Sequence, residues 1–480
     1  MGASLAFLIC SLGVAGLFLL DRDKSVRTSW ALWLPVVWLL IASSRPVSLW
    51  LGSGGAPAGA LNSTLDGSPM DAAIYAALMF AGVTVLFRRK KRTIALLKVS
   101  GPVLIYFLYC MLSTAWSPFH GPALKRWTKD VGDLVMVLVI VTDAQPMAAL
   151  RRLYSRIGFI LLPFSIVLIR YTDLGRGYDP DGTPMNTGVT TNKNALGLIV
   201  FLVSLGALWQ VRALLLDKKV SNRTRRLVAH VTLLTFGIVL LQMAHCATAV
   251  GCFVLGGGLM LLTGLRAMRN RPGRVHTLCL GIVVLGGLTT VLGGVSLLTG
   301  ALGRNSDMGR TDIWKASIET ADSPVLGTGF ESFWNANARK VARNPALAAY
   351  WDMSNLVSAH DGYIEVYLDL GLVGLCLIAL ILISGYRRAI EAFKRDPQFG
   401  GLLLAYVATS TFYSITEVGF RVLSPSWIFL LLAVVSANGV IAGLFGGPAT
   451  RVIASSDGRA RRRSEADKHI PAGPSVYAAD

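Results

Sequence analysis

The stretch "DGYIEVYLDLGLVGLCLIALILISGYRR" runs from Asp361 to Arg388. Its acids, Asp361, Glu365 and Asp369, fall at the start and in the first turns; Leu370 to Tyr386 carries no charge, and Arg387 and Arg388 close the run. A helix needs about twenty apolar residues to cross the hydrocarbon of a bilayer. This run is long enough, and it stops on cations, as a span does at a cytoplasmic surface. Blocks of the same kind recur along the chain, at roughly 2–20, 30–50, 71–87, 94–112, 130–143, 153–169, 194–212, 227–244, 247–265, 277–300, 362–384, 400–415 and 425–445. Backbone groups in lipid must pair within the chain, so helices are expected, and no ten-residue barrel alternation is present.

Composition agrees. The 480 residues are 53% hydrophobic and 15% charged, with a mean hydropathy of +0.55; a soluble domain carries about a quarter charged residues. The expected fold is an all-α polytopic membrane protein of about 12–13 transmembrane helices with one large outer loop. The net charge of +19 does not mark a nucleic-acid binder, because the cations sit in short clusters between apolar blocks. One set of alternate loops holds Arg22/Lys24/Arg27, "RRKKR" (88–92), Arg151/Arg152/Arg156, Lys218 to Arg226, Arg266 to Arg274, Arg387 to Arg395 and the tail "GRARRR". With Arg212, Arg451 and Lys468 added, that side takes 31 of the 46 Lys and Arg against 14 on the other, with Lys98 inside a span, and the excess assigns it to the cytoplasm. The six cysteines form no C-x-x-C, so neither a zinc site nor a disulfide framework is expected. The first charges follow the first apolar run, which reads as a retained helix rather than a cleaved signal.

Four segments follow from this pattern: helices over 1–300, an outer loop cap at 301–361, further helices over 362–446, and a basic, disordered cytoplasmic tail at 447–480. The loop is too long for a connector and carries Trp314, Phe330, Phe333, Trp334, Tyr350 and Trp351. "GRTDIWKASIETADSP" predicts a short amphipathic helix with Ile313, Trp314 and Ile318 on one stripe; "NANARKVARNPALAAYW" predicts a second, interrupted at Pro345. Such pieces form a cap on the membrane surface.

Cations on the outer side run against the topology signal and need a reason. Arg310, Arg170 and Arg421, with Arg176 and Lys193, stand near expected helix mouths, Arg421 close to Glu417. The bland alternative for Arg421 is an ion pair with Glu417 that fixes the turn. Arg339, Lys340 and Arg343 read as a solvated helix face. Arginine suits phosphate because its planar fork binds two oxygens and stays charged. Several outer arginines would make a pyrophosphate site, and on an outer membrane face the natural carrier of pyrophosphate is a lipid. His120, His245 and His360 fall outside. His360 is the candidate base, since imidazole as a group changes charge near neutral pH, and Asp361 and Glu365 are possible orienting carboxylates. No H-E-x-x-H and no second histidine at ligand spacing points to a metal, and no cofactor is expected.

"GRTDIW", "SPVLGTGFESFW" and "HDGYIEVYLDLGLVGL", in that order, resemble the core of the O-antigen ligase and polymerase superfamily of bacterial membrane glycosyltransferases; upstream, "GVTTNKNALGLIV" resembles its entry to a central helix. The resemblance covers about 160–430 and is strongest at 309–375. It implies an undecaprenyl-pyrophosphate-linked glycan donor, reaction on the outer face of the bacterial inner membrane, and no metal. It also implies a base histidine matching His360 and pyrophosphate arginines, of which Arg310 matches best and Arg170 and Arg421 less well. "HCATAV" (245–250) departs from the pattern, with Cys246 where the family often has serine. A polymerase, whose acceptor is the next lipid-linked repeat, and a ligase, whose acceptor is lipid A-core, share this chemistry. Partners beyond the glycans and the bilayer would be other polysaccharide assembly proteins. A lipid-linked oligosaccharide flippase is the rival of another class, but no paired repeat is visible; a non-catalytic assembly factor would tolerate loss of His360 and Arg310.

Overall fold

The structure is a computed structural model and describes residues 2–23, 27–52, 68–179, 182–218, 222–271, 273–279, 281, 310–321, 323–347 and 357–445. Over these residues the chain is an all-α polytopic membrane protein. Apart from a small antiparallel hairpin, β1 (Arg176–Tyr178) with β2 (Pro184–Asn186), its regular elements are helices. In chain order they include α1 (Ala3–Leu20), α2 (Trp33–Ala42), α3 (Pro69–Arg88), α4 (Lys90–Val99), α5 (Gly101–Ser113), α6 (His120–Val141), α7 (Pro146–Tyr171), α8 (Lys193–Leu216), α9 (Arg223–Ala244) and α10 (Ala247–Thr263). After these come α11 (Arg310–Thr320), α12 (Phe333–Ala342), α13 (Gly362–Arg395), α14 (Pro397–Thr416) and α15 (Pro425–Ile441). Among the described residues seven helices are long and apolar enough to cross a bilayer: α1, α3, α7, α8, α9, α13 and α14. The apolar segments at Trp30–Ala42, Ala247–Thr263 and Pro425–Ile441 are shorter.

Residue choice explains the starts of the central helices. Asn192 accepts from the Ala195 N–H and so caps α8; Asp396 does the same for Gln398 and Phe399 ahead of Pro397. Peripheral helices keep apolar residues on their outer face: α1 leaves Leu5, Leu8, Ile9, Leu12 and Leu19 uncovered, a surface that only lipid satisfies. The inner helices α8, α14 and α15 pack on every side. Tyr154 of α7 packs ring to ring with Tyr406 of α14 and Phe429 of α15, and the buried Tyr406 hydroxyl donates to the Leu202 carbonyl of α8 at 2.9 Å.

The basic clusters gather at one end of the bundle. Arg226 pairs with Asp21 and Asp23, Arg152 donates to Thr28, Arg89 pairs with Asp143, and Arg395 donates to the Val440 carbonyl. Residues 310–321, 323–347 and 357–361 lie at the other end, against the ends of α5 and α14.

Three expected spans differ in detail. The one at 94–112 is broken at Ser100, where α4 and α5 meet at 87°. The reason is local: α4 begins with Lys90, Lys91 and Arg92 and keeps Lys98, whereas Gly101 and Pro102 restart the chain as an apolar helix. The span at 30–50 stops at Ala42; Arg45 then turns back to bond the Gly188 carbonyl and Thr187 hydroxyl. The span at 130–143 starts ten residues earlier, at His120, with Arg126, Asp130 and Asp133 buried along it. Most of 277–300, all of 301–309 and the tail after Phe445 lie outside the described residues.

The cap has a core of its own, built from Ile313, Ala316, Phe333, Trp334, Val341 and Leu347 with Ala359 and Leu368. α11 buries Ile313, Ala316, Ser317 and Thr320, so Ile318 faces away, 46% exposed, contrary to the expected stripe. The i, i+3, i+4, i+7 row that meets α12 is the small-residue row, which lets the two short helices approach. Behind them, 324–329 is laid along a break in α13 at Gly371 (φ 65°, ψ −163°). Leu372 and Val373 donate to Pro324 and Val325; Thr328 and Gly329 donate to Leu368 and Asp369. The glycines of "GTG" and "DLG" make this possible. A Cβ at Gly327 would lie 2.4 Å from the Asp369 carbonyl oxygen, and one at Gly371 2.2 Å from that of Val325.

Candidate active site

α14 ends at Thr416 with carbonyls that have no partner inside the helix. Arg310, first residue of α11, supplies one: its Nη1 donates to the Thr416 carbonyl at 3.1 Å. A cation at a helix C-terminus is also favoured by the helix dipole. The next residue, Glu417, is thereby held at a junction of three elements. Its Oε1 accepts from Asn194 Nδ2 of α8 at 2.8 Å and lies 3.6 Å from Arg310 Nη2. Its Oε2 faces His360 Nδ1 at 3.9 Å, too long for a hydrogen bond but within ion-pair range. Thr248 of α10 touches Thr416 hydroxyl to hydroxyl at 3.0 Å. Arg310 and His360 therefore share one mouth around Glu417. The His360 side chain is 39% exposed there, so it can reach a substrate.

His360 sits in the left-handed region (φ 53°), an unusual state for a non-glycine residue. The peptide before it is clamped on both sides. Trp314 Nε1 donates to the Ala359 carbonyl at 2.8 Å, and the Ala359 N–H donates to Glu365 Oε1 at 2.5 Å. Glu365 also accepts from the buried Trp334 indole. Asp361 caps α13 through the Tyr363 and Ile364 N–H groups at 2.8 and 2.9 Å. Burial pushes its carboxyl up to about 6, against those bonds and the nearby charge of Arg310. Asp361 and Glu365 thus hold the backbone around His360, and the carboxylate facing the imidazole is Glu417. The bland alternative of an Arg421–Glu417 pair is not what the structure holds, since Arg421 pairs with Glu331.

Arg421 has different company. Its Nε donates to Glu331 Oε2 at 3.2 Å, and the Val422 N–H donates to the other oxygen. Burial disfavours its charge, but Glu331, Glu365 and Asp369 together hold the guanidinium above its usual range. Glu331 (φ 50°) takes a second arginine, Arg126, on its backbone carbonyl. The turn that carries Arg421 is fastened to α6, with Asp133 accepting from the Leu423 N–H and Asp130 from the Trp427 indole. Arg421 is thus set among carboxylates, with Glu331 rather than Glu417 as its ion-pair partner.

Arg170 lies elsewhere again. It lines a cavity of about 490 Å³ with Arg176, Asn186, Gln242 and His245, beside the α9–α10 turn. Two residues of the mouth escaped sequence reasoning. Asn194 was visible in "TNKNALG" only as part of a helix entry. Glu417 stands 57 positions after His360, and no spacing rule joins them. Among the described residues no three His, Cys, Asp or Glu side chains lie together as a metal would need.

The fold and site define a multi-pass membrane protein with a cap at one end of the bundle and an Arg–Glu–His cluster beneath it. A family model described as O-antigen ligase matches residues 189–379, from the entry to α8 through the cap and past His360 into α13. The exopolysaccharide production protein ExoQ of Rhizobium meliloti (strain 1021) is 26% identical over 313 residues, covering 62% of this chain and 67% of that protein. Both similarities support a relation to the O-antigen ligase and polymerase superfamily of bacterial membrane glycosyltransferases.

Proposed function

We propose that the chain transfers glycan from an undecaprenyl-pyrophosphate carrier to a sugar hydroxyl, as the polymerase of an exopolysaccharide, on the periplasmic face of the inner membrane. The observation that carries this reading is the convergence of Arg310 and His360 on one exposed mouth around Glu417. His360 takes the proton of the acceptor hydroxyl through Nε2, the nitrogen turned away from Glu417. The hydroxyl oxygen bonds to the anomeric carbon of the donor as the bond to the pyrophosphate oxygen breaks. Arg310 neutralises the charge that grows on the leaving pyrophosphate; such stabilisation is usually the largest catalytic contribution, and a base adds about 10²–10⁴-fold. Direct displacement inverts the anomeric configuration and asks nothing of a metal. Glu417 steadies both groups, Glu365 and Trp314 fix the backbone of His360, and the cap gates access.

The polymerase reading fits the similarity to the Rhizobium relative, an exopolysaccharide production protein. The description of the matching family favours a second reading, ligation of finished chains to lipid A-core. A mass profile of undecaprenyl-linked glycans in a deletion strain, complemented with wild type or His360→Ala, separates them. Single repeats accumulating with both the empty vector and His360→Ala support the polymerase. Long chains accumulating beside bare lipid A-core support the ligase. Normal polymer with His360→Ala at normal abundance removes His360 as the base.

A further inference from the structure

The cavity at Arg170 has no part in the displacement just described. It is lined by two guanidiniums, an imidazole and an amide, Arg170, Arg176, His245 and Gln242, and among its described lining residues there is no carboxylate. Arg176 is turned into place by bonds from its Nε to the Ile169 carbonyl and from Nη2 to that of Arg170. Asn186 is spent on the Met243 carbonyl. A recess of donors and cations is built for an anion with several oxygens, and about 490 Å³ lies in the range of small-ligand pockets.

The recess is separate from the mouth but tied to it. His245 ends α9, and three residues later Thr248 touches Thr416, the neighbour of Glu417. Three residues of chain span at most about 11 Å. A second anion site thus stands one short turn of chain from the reacting groups.

Polymerisation and ligation differ in the number of pyrophosphates bound. A polymerase holds two lipid-linked glycans. One pyrophosphate leaves from the reacting carbon; the other stays intact on the acceptor, separated from the attacking hydroxyl by the sugars of the repeat. We infer that the Arg170–Arg176–His245 recess seats the intact pyrophosphate of a lipid-linked acceptor while Arg310 attends the one that leaves. This rests on the proposed role of Arg310 and turns the polymerase reading into a statement about geometry: two pyrophosphate sites, one on either side of the α9–α10 turn.

Native mass spectrometry of the full-length protein in detergent, titrated with farnesyl pyrophosphate, tests it, with farnesol as the control for the prenyl tail. Two pyrophosphate-dependent equivalents are expected. Arg310→Gln should remove one, and Arg170→Gln with His245→Gln the other, each by a loss of tenfold or more in affinity; the equivalent that survives in each variant reports that the protein is folded. One equivalent in the wild type, lost with Arg310→Gln and indifferent to the recess, overturns the inference and leaves the catalytic reading standing. One equivalent lost only with the recess substitutions overturns both, because the leaving pyrophosphate would then sit at Arg170. A recess that takes millimolar glucuronate, loses it with Arg170→Gln and His245→Gln, and binds no farnesyl pyrophosphate overturns it in favour of a sugar carboxylate.

Discussion

At the residue scale, the site depends on where each carboxylate spends its hydrogen bonds. Glu417 keeps an oxygen turned toward His360, so Glu417→Gln should lower turnover while abundance and melting temperature hold. The loss should be smaller than the about 10²–10⁴-fold expected when the base itself is removed, as measured by initial rates on purified lipid-linked substrate. Asp361 makes a different prediction. Its carboxyl titrates near 3.8 in an unfolded chain and about 6 when buried in the fold. Between those values the folded state holds a proton that the unfolded state has lost, so stability from this group is complete below about 4 and falls away as pH rises through 6. Asparagine caps helices as well as aspartate. Asp361→Asn should therefore keep the helix and flatten the rise in melting temperature that the wild type shows on going from pH 7 to 5.

At the scale of elements, the decisive contact is the strand-like lacing of 324–329 onto the break in α13. It hangs the cap from a membrane helix and sets the height of His360 above it. Gly371→Ala places a methyl group against the Val325 carbonyl in a conformation that L side chains rarely adopt. Backbone strain of that kind costs about 1–3 kcal/mol before the clash is counted. Thermal unfolding followed by size-exclusion chromatography should show a large loss, together with loss of polymer. Gly258→Ala is the control. A Cβ there meets nothing within 4 Å, and alanine is the better helix former, so its melting temperature should match or exceed wild type.

At the scale of the whole molecule, the bundle is polar at both ends for different reasons. One end is crowded with arginines that topology demands. The other carries fewer cations; of these Arg310 and Arg421 are paired with carboxylates, and Arg170 and Arg176 line the recess. If the cap faces the periplasm, a Cys at Lys340, in a background without the six native cysteines, should react with a membrane-impermeant maleimide in cells whose inner membrane is intact. A Cys at Arg387 should react only after that membrane is permeabilised. Both positions are exposed, so a reversed labelling pattern would place the Arg310–His360 mouth in the cytoplasm and remove the proposed substrate.

Much of this was legible in the sequence, and the physics says which part. Apolar length and the alternation of cations are properties of contiguous residues, so the all-helical membrane fold followed from them, and the linear motifs around Arg310 and His360 carried the family. Helix breaks were harder. The interruption at Ser100 depends on whether Lys90 to Lys98 find water or lipid, a matter that neighbouring helices decide. Contacts between distant segments were not legible. Glu417 reaches His360, Arg310 and Asn194, and Glu331 reaches Arg421, because helix ends far apart in the chain meet at one mouth. The sequence alone determined that this is a polytopic membrane protein whose motifs resemble those of a known family, since hydrophobicity and motif are local. Only the tertiary structure decided which carboxylate faces the base and that Arg170 belongs to a separate recess, since a hydrogen bond has a reach of about 3 Å and says nothing of distance along the chain.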